Sequence, residues 1–236
     1  MVVNSGERIL LEKETPLMIT RHLWAYRFAR DYALGKTVLE IGCGEGYGSH
    51  YLAEAAQKIT AIDYNQEVIK YAREKYAKDN LRFICLDVKD LNSLGDKFDM
   101  ICCFQVIEHI NDPDAFLAAI PALLNNDGIF ICSTPNKLDM SPNSPDPVNK
   151  FHVKEYLIRE FRELLGRHFN KIEMFGLKRS QRLNFFRRLK KIGIFNFFPD
   201  KINPVNKFYS RIDYSNFAVV RDNIDKTLDF IAVCGK

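Results

Sequence analysis

The stretch VLEIGCGEGYGSHYL, residues 38–52, sets Gly42, Gly44, Gly46 and Gly48 at alternate positions directly after an apolar run. Glycine weakens strands and helices alike, because it has no side chain to pack and loses the most backbone freedom on ordering. Such a cluster suits a place where another group must lie against bare main chain. A glycine-rich turn between a first strand and its helix is where open α/β sheets receive a nucleotide-like ligand. The dinucleotide fingerprint G-x-G-x-x-G needs its third glycine at position 47, which is Tyr47. The spacing here is G-x-G-x-G, which argues against NAD or FAD.

Outward from this turn the chain alternates strand-like and helix-like segments. TVLEI (37–41) is a short β-rich run ended by the glycines, and GSHYLAEAA (48–56) reads as the helix after it. KITAID (58–63) is a second strand; Asn65 then caps a helix with Val68, Ile69, Ala72 and Tyr76 on its apolar face. LRFICLD (81–87) and FDMICCF (98–104) are the third and fourth strands. Pro113 opens a helix to about residue 125, and Asp127-Gly128 turns the chain into a fifth strand, IFICST (129–134). Upstream, Thr15-Pro16 pairs a capping hydroxyl with proline at the first helical position, starting a helix to about residue 34 that carries Leu17, His22, Trp24 and Tyr26. Strands alternating with helices imply a parallel sheet with helices on both faces and right-handed crossovers.

After Thr134 the pattern breaks. PNKLDMSPNSPDPVNK (135–150) holds four prolines in sixteen residues and reads as a functional loop or cover. A helix resumes near Val153 with Leu157, Phe161 and Leu164 on one face; KIEMFGL (171–177) and TLDFIAVCG (227–235) supply the last two strands.

The 236 residues suit one large domain, and 47% apolar with 27% charged residues is the balance of an ordinary soluble globular protein. A formal charge of +4 does not by itself announce nucleic acid. The six cysteines include no C-x-x-C pair and lie mostly in apolar runs, so they read as reduced, buried hydrophobes. No apolar stretch has the length of a membrane span, and the polar start gives no secretory leader; the expected location is cytoplasmic.

Asp63 ends the second strand, where a carboxylate accepts hydrogen bonds from both hydroxyls of a ribose. Asp87 ends the third, within reach of an exocyclic amine. In order and spacing, VLEIGCGEGYG, AIDYN, FICLDVKDL and FDMICCFQVIEHI resemble the class I S-adenosylmethionine-dependent methyltransferases over roughly residues 38–134. The resemblance implies a Rossmann-like α/β fold: a seven-stranded, mostly parallel sheet in the order 3-2-1-4-5-7-6, with strand 7 antiparallel. It implies S-adenosyl-L-methionine as cofactor and S-adenosyl-L-homocysteine as product. Glu40, Gly42, Cys43, Gly44 and Gly46 would line the methionine part and ribose; Asp63, with Tyr64 beside it, would hold the ribose hydroxyls. Asp87 and Val88 would frame the adenine, and Phe104 and Gln105 would face the sulfonium. The expected division is one methyltransferase domain, 1–236: a helical cap (1–36), a cofactor-binding core (37–177), a basic aromatic insertion (178–226) and the final strand (227–236).

Methyl transfer needs alignment, desolvation and, for a hydroxyl acceptor, a general base. The candidates are Glu108, His109 and His152, with His152 or His109 as base and Glu108 orienting it. On a helical turn Gln105, Glu108 and His109 would share a face. The trio also resembles the metal site of small-RNA 3′-terminal 2′-O-methyltransferases, except that Gln105 stands where that motif has a carboxylate; no metal is expected. The plain alternative is that Glu108 and His109 hydrogen-bond the loop after strand four.

Residues 178–211 hold ten Lys or Arg against one acid, Asp200, with Phe185, Phe186, Phe195, Phe197 and Phe198 interleaved. This composition suits a solvated cap, an anionic or lipid-linked glycan substrate, a peripheral membrane contact, or nucleic acid. The start of the chain resembles bacterial methyltransferases of glycan biosynthesis. The expected acceptor is therefore a small molecule or glycan, methylated at oxygen. The rival readings are an RNA methyltransferase, an NAD(P) oxidoreductase and a cofactor-binding regulator without turnover.

Overall fold

A computed structural model describes residues 11–195 and 197–236; the first ten residues of the expected 1–36 cap lie outside it. The sheet has eight strands: β1 (Thr37–Ile41), β2 (Lys58–Asp63), β3 (Leu81–Cys85), β4 (Phe98–Phe104), β5 (Leu124–Pro135), β6 (Lys171–Arg179), β7 (Phe217–Val220) and β8 (Asp229–Gly235). The helices are α1 (Pro16–Ala33), α2 (Tyr47–Leu52), α3 (Gln66–Lys75), α4 (Pro113–Leu123), α5 (Lys137–Met140), α6 (Ile158–Gly166), α7 (Gln181–Ile192) and α8 (Pro204–Tyr209). The fold is α/β and Rossmann-like, with strand order β3-β2-β1-β4-β5-β8-β6-β7. Strands β1 to β5 pair in parallel, and β8 runs antiparallel between β5 and β6.

The seven-strand expectation is corrected by β7, an edge strand inside the basic insertion, paired antiparallel with Gly176 to Arg179 of β6. Its four residues are too short to show an alternating pattern. Nor does the Asp127-Gly128 pair stand as a turn before the fifth strand: β5 starts at Leu124 and runs through it. The ladder to β4 steps from Phe98–Leu124 to Met100–Ile129, so the extra residues are absorbed as an irregularity within β5. The helix expected near Val153 starts at Ile158, because the Val153 and Lys154 amides donate to the Glu108 carbonyl (2.7 and 3.2 Å) instead of opening a helical turn.

Alternating strand residues face two cores. Leu39, Ile41, Ile101 and Cys103 pack with Phe116, Leu117 and Ile120 of α4 and Phe161 and Leu165 of α6. Val38, Met100, Cys102 and Phe104 pack on the other face with Ala25, Tyr26 and Ala29 of α1, Leu52 of α2 and Ile69 of α3. Arg21 of α1 reaches across to β8, where its Nε donates to Asp229 Oδ2 at 2.8 Å and its second nitrogen to Oδ1 of the same carboxylate. Arg179 of β6 makes a like two-pronged pair with Asp139 of α5 (2.8 and 2.9 Å), holding the proline-rich segment to the sheet.

Gly48 fixes how closely α1 approaches. A Cβ there would lie 2.0 Å from the Tyr26 ring, far inside contact distance. Gly48→Ala should therefore destabilise the protein by roughly 1–3 kcal/mol through overpacking, read as a lower urea midpoint. An unchanged midpoint would mean that Tyr26 does not rest on this turn.

Candidate active site

The glycine turn opens the floor of a cleft of about 690 Å³ at the carboxyl ends of β1 to β4. Both Gly42 and Cys43 donate their amides to the Ile62 carbonyl (2.8 and 2.9 Å), pinning the turn to the tip of β2. The four glycines do different work. A Cβ on Gly42 would strike Val106 at 2.4 Å and one on Gly46 would strike Phe83 at 2.8 Å, so these two serve packing. Gly44, at φ +53°, has no atom of the described residues within 4 Å of its Cβ position and keeps its side of the floor bare.

Asp63 is buried and lines the cleft; it accepts from the Gly44 amide (3.1 Å) and the Asn65 amide (2.9 Å). Asn65, not Asp63, caps α3. Tyr64 is exposed on the rim. Asp87 and Val88 line the same end, Asp87 accepting from the Lys89 amide at 3.0 Å. Cys43, Phe104 and Gln105 also face the cleft. Glu40 sits behind its wall, with 1% of its surface exposed, where the Tyr26 hydroxyl donates to its Oε1 at 2.7 Å. None of the six cysteines is in a disulfide; burial pushes Cys102, Cys132 and Cys234 upward and away from reactivity.

At the other end, Glu108, His109 and His152 come together, their ligand-capable atoms within 4.8 Å of one another. The rings of the two histidines meet edge to face at 4.9 Å. Gln105 does not join them on a helical face. Its backbone is left-handed (φ +56°), which turns the chain before the short 3₁₀ turn of Ile107–His109, and its side-chain amide donates to Ser133 Oγ at 3.3 Å.

The two imidazoles are held differently. His152 has both nitrogens engaged: Nδ1 lies 2.8 Å from Glu155 Oε1, and Nε2 accepts from the Asn149 amide at 2.9 Å. The Asn149 orientation is fixed, since its Oδ1 accepts from the Phe151 amide. His109 Nδ1 is 2.8 Å from the Phe151 carbonyl, so it carries the proton, and the ring's lone pair lies on Nε2. Only His109 of this trio lines the cleft. Glu108 is buried, accepts from Thr134 Oγ1 at 3.0 Å, and has its carboxyl pushed up to about 8 mainly by burial.

Several lining residues were not assigned to the site from the sequence. His22 and Tyr26, four apart on α1, present one helical face to the cleft, a spacing that periodicity contains once the approach of α1 is known. Burial, aided by the Arg21 charge, lowers His22 to about 3 and keeps it neutral. Phe116 and Ala119 of α4, with Ile110 before it, form an apolar wall opposite.

A family profile described as a methyltransferase domain matches residues 34–165. The chain belongs to the class I methyltransferases. The chain is 34% identical over 145 residues to a probable S-adenosylmethionine-dependent methyltransferase of Mycolicibacterium smegmatis, covering 61% of this chain and 56% of that one. It thus spans little more than half the length of that relative. It is 29% identical over 186 residues to the ubiquinone biosynthesis O-methyltransferase of Haemophilus ducreyi (66% and 79% covered). Its fold is shared with the plantazolicin methyltransferase BpumL, solved in complex with SAH: TM-score 0.59, 21% identity, 95% of this chain and 86% of that one covered.

Burial raises the Glu40 carboxyl from 4.5 to about 7. The folded protein therefore holds a proton that the unfolded chain releases near 4.5, and stability falls as pH rises from about 4.5 through 7. Glu40→Gln should make that decline shallower, leaving the part that Glu108 contributes, measured by denaturant unfolding across the window. A slope equal to wild type would remove Glu40 as one source.

Proposed function

We propose that this methyltransferase moves a methyl group from S-adenosyl-L-methionine to an oxygen of a small-molecule or glycan-like acceptor, leaving S-adenosyl-L-homocysteine. The observation that carries the reading is the cleft itself: bare main chain and two strand-end carboxylates at one end, and an imidazole with its lone pair directed by Phe151 at the other. The residues fit an adenosyl group. Open space over Gly44 leaves room against the main chain, and Asp63 and Asp87 stand at adjacent strand ends. Gly42, Cys43, Tyr64 and Val88, which line the same cleft, would complete the cradle, and Gly46, packed against Phe83, would support the turn. The cofactor supplies a methyl group activated on a sulfonium sulfur.

The chain's own residues then bind, orient and deprotonate. Phe104 and Gln105 border the reacting end, the latter anchored on Ser133. Phe116, Ala119 and Ile110 present apolar surface that excludes water and suits a hydrophobic part of the acceptor. His109 Nε2 accepts the acceptor hydroxyl's proton. The Nδ1–H bond to Phe151 holds the tautomer. The Glu108 carbonyl, bonded by the amides of Val153 and Lys154, fixes the loop that carries Phe151. His152, saturated by Glu155 and Asn149, packs edge-on behind His109 and positions it.

Relatives named as O-methyltransferases support oxygen as the methylated atom. The domain division given above, with 37–177 as the cofactor-binding core, and a cytoplasmic setting with reduced cysteines belong to the same reading.

His109→Gln should lower the rate of S-adenosylhomocysteine formation, assayed across catechol and sugar hydroxyl acceptors, by about 10²–10⁴-fold. His152→Ala should cost less, as a lost orienting contact. Turnover insensitive to His109 would overturn the base assignment. Since the trio could also hold a divalent ion, dialysis against a chelator separates the readings: the base mechanism predicts unchanged turnover, and loss restored by Zn²⁺ or Mn²⁺ would replace it with a metal-assisted one.

A further inference from the structure

We propose that the insertion between β6 and β7 is a docking surface for an anionic lipid bilayer. The inference stands apart from the chemistry of the cleft.

The insertion has a folded base and an apolar tip. At the base, Leu183 of α7 and Phe208 of α8 are buried with Leu177, Ile212, Phe217 and Leu228, and Phe186 stacks on Phe208 at 4.0 Å. The turn beyond α7 is hydrogen-bonded: buried Asn203 donates its side-chain amide to the Phe195 carbonyl at 2.8 Å, and the Ile202 amide bonds the Pro199 carbonyl at 3.0 Å. From this frame five large apolar side chains stand in water. Ile192 is 71% exposed, Ile194 58%, Phe197 93%, Phe198 47% and Ile202 61%. A packed cap would have buried them; so many large apolar side chains exposed in one short segment mark an interaction surface.

Charge identifies the partner. Arg187, Arg188, Lys190, Lys191 and Lys201 are exposed around the tip, and none forms an ion pair with a described acid. The one acid of residues 178–211, Asp200, accepts from the Asn206 side-chain amide (2.9 Å). Exposed apolar residues beside cations that have no described acidic partner match a bilayer with anionic headgroups: the tip enters the acyl boundary while the cations meet phosphates. A second copy of this chain would bring like charges together. Nucleic acid would leave the three isoleucines with nothing to stack on. The base also touches the catalytic half of the molecule, since Trp24 of α1 packs on this cluster and α1 supplies His22 and Tyr26 to the cleft.

The test is co-sedimentation of the full chain with vesicles. With about 30% phosphatidylglycerol in phosphatidylcholine the protein should pellet, and pure phosphatidylcholine should reduce its partitioning at least about tenfold. Raising NaCl to about 0.5 M should weaken binding to the anionic vesicles. The double variant Ile194→Ser/Phe197→Ser and the pair Lys190→Gln/Lys191→Gln should each lower partitioning about tenfold or more with an unchanged thermal melt. The wild-type comparison between lipids carries the test whether or not a variant folds. Equal sedimentation with and without anionic lipid overturns the proposal. So does tight binding to single-stranded RNA without vesicle binding, or a dimer that Phe197→Ser dissolves. Loss of methyl transfer with lipid binding intact would count against the cleft reading alone.

Discussion

The bond from the Gly44 amide to Asp63, together with the two amides that Ile62 receives from Gly42 and Cys43, is the constraint on which the site rests. It ties the tip of β2 to the turn after β1, so that bare main chain and a carboxylate reach the same space. The sheet underneath is rigid because its strands are buried on both faces, and a rigid sheet lets a loop be placed to within a fraction of an ångström. The glycines thus divide their labour. Three admit neighbours at close range, Val106, Phe83 and Tyr26, while Gly44 leaves space.

The second half of the site depends on longer connections. α1 has to lie across the cleft for His22 and Tyr26 to enter it. Its position is fixed by the Gly48 contact at one point and by Arg21 on Asp229 of β8 at another. A two-pronged ion pair of this kind, largely removed from water, is costly to break because each partner would be left charged and buried. The proline-rich segment is held comparably, by Arg179 on Asp139 and by Asn136, whose side chain donates to the Asp225 and Thr227 carbonyls (2.9 and 2.7 Å). That anchoring lets a loop with four prolines deliver Phe151 and His152 to a defined place.

What was legible in the sequence follows from what is local. β4 is an unbroken apolar run, Thr15 and Asn65 are caps with side chains that accept from their own helices, and the glycine turn lies directly after a strand. The proximity of Glu108, His109 and His152 was also readable, since one pair follows a strand end and the third residue follows the returning loop. Which imidazole faces the cleft was not, because it depends on Glu155, Asn149 and Phe151 as partners. Gln105 escaped for the same reason: a left-handed glutamine is imposed by its bonds to Ser133, not by propensity. β7 was missed because only pairing with the end of β6 defines it.

The central claim is that an adenosyl sulfonium compound rests on the Gly44 main chain and is held through Asp63. Calorimetric titration with S-adenosylhomocysteine tests it most directly. The account predicts stoichiometric binding by the wild type, weakened at least about tenfold by Asp63→Ala and abolished by Gly44→Val. Absence of heat from this compound, with NAD bound firmly by the same preparation, would contradict it.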